Sequence, residues 1–149
     1  MLGTSLAYLA ACALTNASAP PATGHDVYGD WYTPDRDSVV RIADCGDGTP
    51  CGTVTWQDPE RAKVVIDRRN EDQALRGRPI VGITLLGGFE AAEEDWRRGA
   101  IYNPENGATY RARLKRLDAD RLQVKGCVGP ICKGMVWERR PPASADVQE

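Results

Sequence analysis

One histidine, His25, is the chain's whole supply of imidazole, so it limits the acid–base chemistry this sequence can offer. General acid–base catalysis needs a titratable group held at a fixed reach from its substrate. His25 follows directly on an Ala/Pro-rich lead and is expected to be mobile, with nothing nearby to order it. Without it no Ser-His-Asp grouping can be assembled. Asp67 and Asn70, with Glu71 and Asp72 behind them, cluster oxygen ligands. Their spacing fails the calcium-loop pattern, which needs ligands at alternate positions and a glycine at the sixth. They are read instead as hydrogen-bond partners of a turn backbone. Asp118 and Asp120 share a tight turn and point apart into water. Arg76 and Arg78, placed with the Asp67–Asn70 turn at a rim, can hold a carboxylate or phosphate head group bidentately. Their competing role is a surface salt-bridge network that fixes a long loop. No catalytic residue, metal ligand set or cofactor is expected.

The cysteines say more. Cys12 falls in the lead, and four remain: Cys45, Cys51, Cys127 and Cys132. An even count behind an export signal reads as disulfides. Four cysteines allow three pairings, and local pairing is the simplest. Cys45 and Cys51 flank Gly-Asp-Gly-Thr-Pro, and Cys127 and Cys132 flank Val-Gly-Pro-Ile, both suited to a reversing tip. Closing loops this short is worth roughly 2–2.5 kcal/mol each in the chain-entropy model. The competing four-cysteine zinc site lacks the usual two-residue spacing. A motif that would activate a thiolate for redox catalysis is absent.

The first nineteen residues carry no charge, and Leu6 to Leu14 form a short apolar run ahead of Ala17-Ser-Ala19. Residues 1–19 therefore read as a signal peptide, too short to span a bilayer. Cleavage after Ala17 or Ala19 is left open, because Pro20 and Pro21 disfavour the second site. Leu9-Ala-Ala-Cys12 also matches the lipobox of bacterial lipoproteins. If Cys12 is acylated, residues 13–26 become a tether and the protein is anchored at the outer membrane. Otherwise it is periplasmic or secreted, and it meets a membrane only through Cys12. Residues 24–140 are expected to form one domain and 141–149 a disordered tail. A net charge of −2, with basic residues spread along the chain, points away from nucleic acid.

The elements that must position these residues are short strands. Asn106-Gly107 is a hairpin turn signal, since both residues tolerate positive φ. Beyond it Tyr110, Ala112 and Leu114 alternate with Arg111, Arg113 and Lys115, giving one face in a core and one in water. Eight strands are predicted: 26–32, 38–43, 52–56, 79–86, 99–102, 109–117, 121–127 and 133–139. A further short strand at 63–67 is possible within the polar connection 58–78. Residues 89–96 are expected to make one or two helical turns anchored by Phe89 and Trp96. The class is all-β. Eight short antiparallel strands leave two unpaired edges, which closure into an up-and-down barrel removes. A two-sheet sandwich is the alternative. Barrels of this size hold side chains or one small ligand inside.

A set of spaced residues then carries a resemblance. It comprises Gly29-Asp-Trp31, Val40-Arg-Ile42, Cys45, Cys51-Gly-Thr-Val-Thr-Trp56 and Asp67-Arg-Arg-Asn70. It continues through Leu75-Arg76-Gly-Arg78-Pro79-Ile80-Val-Gly82, Trp96, Gly99-Ala-Ile101-Tyr102-Asn-Pro104, Gly107 and Tyr110, and ends in Gly126-Cys127 and Met135-Val-Trp137. In this order and spacing they resemble the bacterial domain-of-unknown-function family 2147, small secreted proteins with a lipocalin-like barrel. The resemblance implies that fold and an oxidising compartment. It implies no reaction, since the family has no established enzymatic activity. Gly29-x-Trp31 is also similar to the glycine-x-tryptophan of lipocalins, whose ring plugs one barrel end beneath an arginine of the last strand. Arg139 or Arg140 would supply that arginine here.

Two functions from different classes are consistent with these residues. In the first, the barrel is an envelope binding protein for a small amphipathic or apolar molecule. Trp56, Tyr102, Tyr110 and Trp137 line its mouth, and Arg76 and Arg78 stand at the rim. In the second, the barrel is filled and works as an interaction module for an envelope protein, with an exposed apolar patch around Phe89 and Trp96. A hydrolytic enzyme is third, and no enzyme is the expectation.

Overall fold

The computed structural model describes residues 23–142. The expected signal peptide, the Cys12 lipobox and the tail beyond Pro142 lie outside the described residues. Nine strands are formed: β1 (Gly29–Tyr32), β2 (Ser38–Asp44), β3 (Pro50–Gln57), β4 (Thr84–Gly87), β5 (Glu90–Ala91), β6 (Trp96–Asn103), β7 (Ala108–Arg116), β8 (Arg121–Val128) and β9 (Ile131–Arg139). They form one sheet in the order β4-β3-β2-β1-β9-β8-β7-β6-β5, and a further β4–β6 pairing closes it. β4 and β5 both run along the same side of β6, through Leu86↔Ile101 and Glu90↔Arg97, and act as one interrupted strand. The result is a closed eight-strand antiparallel barrel whose closure and plug both lie within residues 23–142.

Alternation decides what points inward. Leu122 and Val124 on β8 and Ala112 and Leu114 on β7 are fully buried, while the neighbouring Arg111, Arg113 and Arg121 face water. The alternation slips once where the sequence gives no sign of it. Val39 pairs with Trp56 but Val40 pairs with Val54, so Thr55 is an extra residue on β3. A bulge of this kind puts the residues beyond it out of step. Trp56 consequently stands outside the barrel, and Gln57 turns inward.

Both disulfides are local. Cys45–Cys51 joins the two sides of the β2–β3 turn, and Cys127–Cys132 clasps the β8–β9 hairpin just below its tip. They sit at opposite ends of the barrel.

The end carrying the β2–β3 turn is plugged. Residues 23–28 cross it, with Val27 fully buried. The Trp31 indole N–H donates to the Val27 carbonyl at 2.9 Å, and the Trp96 indole N–H donates to the His25 carbonyl at 2.9 Å. His25, expected to be mobile, is instead held in place. Its Nε2 donates to the Ala92 carbonyl at 2.7 Å, and its ring meets Trp96 edge-on at 5.7 Å.

Three segments depart from the sequence-based assignment. Residues 89–96 are not helical: Ala91 pairs with Trp96, and a tight hairpin brings Phe89 and Trp96 onto one face as two helical turns would have done. Both rings are buried, at 3% and 8% exposure, so the apolar surface patch expected there is absent. The helical turn observed is a 3-10 turn at Gln73–Leu75, in the long connection between β3 and β4. In that connection the possible strand at 63–67 and the first half of the 79–86 strand reduce to one bridge, Ile66↔Pro79. Pro79 lacks a backbone donor and Gly82 adopts a φ of +102°, which together stop a ladder from extending.

Gly99 is a point of close approach in the barrel wall. It pairs with Ala112, and a Cβ on Gly99 would occupy the space of the Phe89 ring. Gly99→Ala should therefore destabilise the fold by about 1–3 kcal/mol through overpacking, measured by urea unfolding. A neutral result would mean that Phe89 is free to move.

Candidate functional site

At the end opposite the plug, the inward faces of the strands surround a cavity of about 940 Å³. Val54 and Trp137 lie deepest by their place on β3 and β9, and Leu85, Ile101 and Met135 form apolar sides. Tyr102 and Tyr110 stand on the β6–β7 side. Val64 and Ile80, from the long connection between β3 and β4, lean over the cavity. The mouth is bordered by Pro34 of the β1–β2 loop, Pro104 of the β6–β7 turn, and Val128 and Ile131 of the β8–β9 tip. Polar groups are few. Ser38 and Gln57 lie within, and Asp35, Asp37, Glu105 and Lys133 are the charged residues of the wall. Asp37 accepts a hydrogen bond from the Thr33 hydroxyl at 2.7 Å, and Asp35 faces Lys63 at 3.8 Å. The indole N–H of Trp137 is buried with no hydrogen-bond partner among the described residues. A buried donor left in that state costs about 1–3 kcal/mol.

Three of the four aromatic residues read from the sequence as lining residues are therefore in the wall: Tyr102, Tyr110 and Trp137. Trp56 is not, for the reason given by the Thr55 bulge. It packs edge-on against Tyr32 at 6.4 Å, with the Arg140 guanidinium 5.5 Å from its ring centroid. Arg36 stacks on the other partner, Tyr32, at 4.5 Å, and Val39 is fully buried on this outer face. Sequence reasoning missed Leu85, Ile101, Lys133 and Met135. The signal was present for β9, where Ile131, Lys133, Met135, Trp137 and Arg139 occupy every second position and so share the inner face.

Arg76 and Arg78 are not in the cavity wall. They serve the polar cluster that fastens the long connection to the rim. Asp67 is fully buried, and its carboxylate accepts from the Tyr102 hydroxyl at 2.5 Å, from the Asn70 amide at 2.9 Å and from Arg78 Nε at 2.9 Å. Arg76 Nε donates to the Asn70 carbonyl at 2.7 Å. Gly107 lies beneath this turn, where a Cβ would collide with the Arg69 carbonyl; its φ of +73° also favours glycine. Burial opposes ionisation of Asp67, but the hydrogen bonds from Tyr102, Asn70 and Arg78 outweigh it and hold the carboxyl below its ordinary value. Burial and the adjacent Asp67 carboxylate push the Tyr102 hydroxyl up to about 12. Each of the three donors meets an acceptor, so the cluster is satisfied and structural.

The plugged end carries the second geometric signature. The Arg139 guanidinium lies 4.4 Å from the Trp31 ring centroid, and Trp31 is fully buried. Gly29, at a φ of +133°, leaves the space that Arg139 Nη1 fills. Arg140 turns outward, to Tyr32 and Trp56.

A closed eight-strand barrel, plugged at a Gly-x-Trp end beneath an arginine of the last strand and hollow at the other, is a lipocalin-like barrel. Residues 29–139 match the family described as "Uncharacterized protein conserved in bacteria (DUF2147)", and the chain belongs to that family. Among solved structures it is similar to protein HP1028 from Helicobacter pylori, described as belonging to the lipocalin family. The TM-score is 0.67 and the identity 21%, over 77% of this chain and 83% of that one. That likeness shows the fold. No curated protein sequence matches the chain.

The Asp67 cluster has a pH signature. A carboxyl whose folded pKa lies below its unfolded value of 3.8 adds stability that is full above that value and is lost as pH falls through the folded pKa. Asp67→Asn should cost about 2–4 kcal/mol near pH 7. The gap between the two proteins should close as pH is lowered below 3.8, measured as urea midpoints across a pH series. A gap independent of pH would mean that ionised Asp67 contributes nothing.

Proposed function

We propose that this protein is an exported binding protein that holds a small apolar or amphipathic molecule in the bacterial cell envelope. The observation that carries the proposal is the cavity of about 940 Å³ at the open end, of the size that small-molecule pockets occupy. Its sides are apolar, three aromatic side chains line it, and its few polar groups gather toward the mouth. That distribution suits a molecule with an apolar body and a polar end. The Trp137 N–H favours an occupant that brings an acceptor oxygen. The family and the lipocalin-like neighbour agree with ligand binding in general and specify neither molecule nor compartment.

Envelope localisation is part of the same proposal. Two disulfides suit an oxidising, periplasmic or extracellular setting, and among the described residues no helix is long and apolar enough to cross a membrane. The reading assigns no reaction to the chain. Asp67, the most deeply buried carboxylate among the described residues, is fully engaged in structural hydrogen bonds away from the cavity wall. The competing interaction module required a filled barrel and an exposed patch at Phe89 and Trp96. The cavity and the burial of both rings weigh against it.

Native mass spectrometry on protein isolated gently from its own envelope tests the proposal. A reproducible non-covalent adduct that disappears on denaturation is the expected result, and its mass identifies the ligand. The fluorescent probe N-phenyl-1-naphthylamine should bind the purified barrel, and Ile101→Trp, which intrudes on the cavity, should weaken that binding about ten-fold or more. A bare mass together with no probe binding would turn the assignment to the interaction module.

A further inference from the structure

The β8–β9 hairpin leaves outside the two most exposed large hydrophobic side chains among the described residues. Val128 is 67% exposed and Ile131 is 76% exposed. They pair across Gly129-Pro130, directly above the Cys127–Cys132 disulfide, and both border the cavity mouth. The cystine holds this apolar tip in one shape, so little conformational freedom remains to be lost when the tip is buried against something.

The charge on the hairpin is one-sided. From Leu122 to Trp137 there is no aspartate or glutamate, although the chain carries 21 acidic residues against 19 basic ones. Lys125 and Lys133 stand at the base of the tip. Lys133 faces the cavity, while the stem of Lys125 lies beside Gly134 on the outer face of the wall. The hairpin thus has an apolar end and a purely cationic base, bracketed on both faces of the sheet. An element of this composition fits the boundary of an anionic bilayer, with acyl chains receiving the valine and isoleucine and headgroup phosphates receiving the lysines.

We propose that the β8–β9 hairpin docks the protein on anionic lipid surfaces by the hairpin side of the cavity mouth, the carboxylates of Asp35, Asp37 and Glu105 lying on the β1–β2 and β6–β7 sides. An apolar molecule could then pass between bilayer and barrel with a short path through water. The docking goes beyond the binding function and does not depend on it, because it is measured with no ligand present.

Residues 23–142, which contain the whole closed and plugged barrel, are mixed at low salt with vesicles and sedimented. The vesicles are of phosphatidylcholine alone or of phosphatidylcholine with phosphatidylglycerol. The barrel should sediment with the anionic vesicles, with a partition coefficient that falls as salt is raised, and only weakly with the neutral ones. Lys125→Gln should lower that coefficient about five-fold, the worth of one lysine near an anionic surface. Val128→Ser combined with Ile131→Ser should abolish sedimentation while circular dichroism and thermal unfolding stay unchanged. Failure to sediment with anionic vesicles overturns the proposal, as does undiminished sedimentation of the double serine variant. Equal sedimentation with neutral vesicles overturns the role given to the lysines. Retention of N-phenyl-1-naphthylamine by a barrel that ignores vesicles would leave the binding function standing while docking fails.

Discussion

The first and last strands of a barrel must meet, and here they share only two residue pairs, Trp31↔Arg139 and Tyr32↔Glu138. So short a ladder is a weak seam. The stack of Arg139 on Trp31 reinforces it. The guanidinium covers a fully buried ring at 4.4 Å, and Arg139 Nε donates to the Ala119 carbonyl of the β7–β8 turn at 2.8 Å. The same ring is fixed from the other side by its hydrogen bond to Val27. One residue pair thus ties together β1, β9, the β7–β8 turn and the segment that precedes β1. A cation–π contact of a half-buried guanidinium is worth about 0.5–2 kcal/mol, and the buried indole adds more through its packing. With this end closed by side chains, the rest of the interior is free to stay hollow.

The two ends of the barrel are held by different physics, and the difference preserves the cavity. At the plugged end Val27, Phe89 and Trp96 fill space. At the open end the connection between β3 and β4 must also be held down, but an apolar plug there would occupy the cavity. It is held instead by hydrogen bonds converging on the Asp67 carboxylate from Tyr102, Asn70 and Arg78. Tyr102 does both jobs, with its hydroxyl in the polar cluster and its side chain in the cavity wall. The connection can then lean Val64 and Ile80 over the cavity without sealing it.

The fold was largely legible because strand patterning and turn chemistry are local. The alternation of Tyr110, Ala112 and Leu114, the Asn106-Gly107 turn and the two cysteine-flanked tips each carry their information within a few residues. They led to an eight-strand barrel with local disulfides. The family resemblance pointed to the same fold and to Trp31 beneath an arginine. The site was less legible. Tyr102, Tyr110 and Trp137 reached the wall as read, but Trp56 did not, because one bulged residue at Thr55 reverses every later side chain on β3. Arg76 and Arg78 were grouped correctly with Asp67 and Asn70. Whether that group faced a ligand or the chain itself depended on Tyr102, which is 35 residues away.

The sequence by itself determined most of the strands and turns and favoured local pairing of the cysteines, since these rest on residues close together in the chain; Trp31 beneath an arginine came from the family resemblance. Only the tertiary structure decided which aromatic rings face the cavity, that His25 is held by Ala92 and Trp96, and that residues 89–96 form a hairpin and not a helix. His25 is fixed by partners 67 and 71 positions away in the chain, residues 89–96 by the burial of Phe89 and Trp96, and the rings by the register between paired strands. A shift of one residue there leaves local propensity unchanged and exchanges inside for outside.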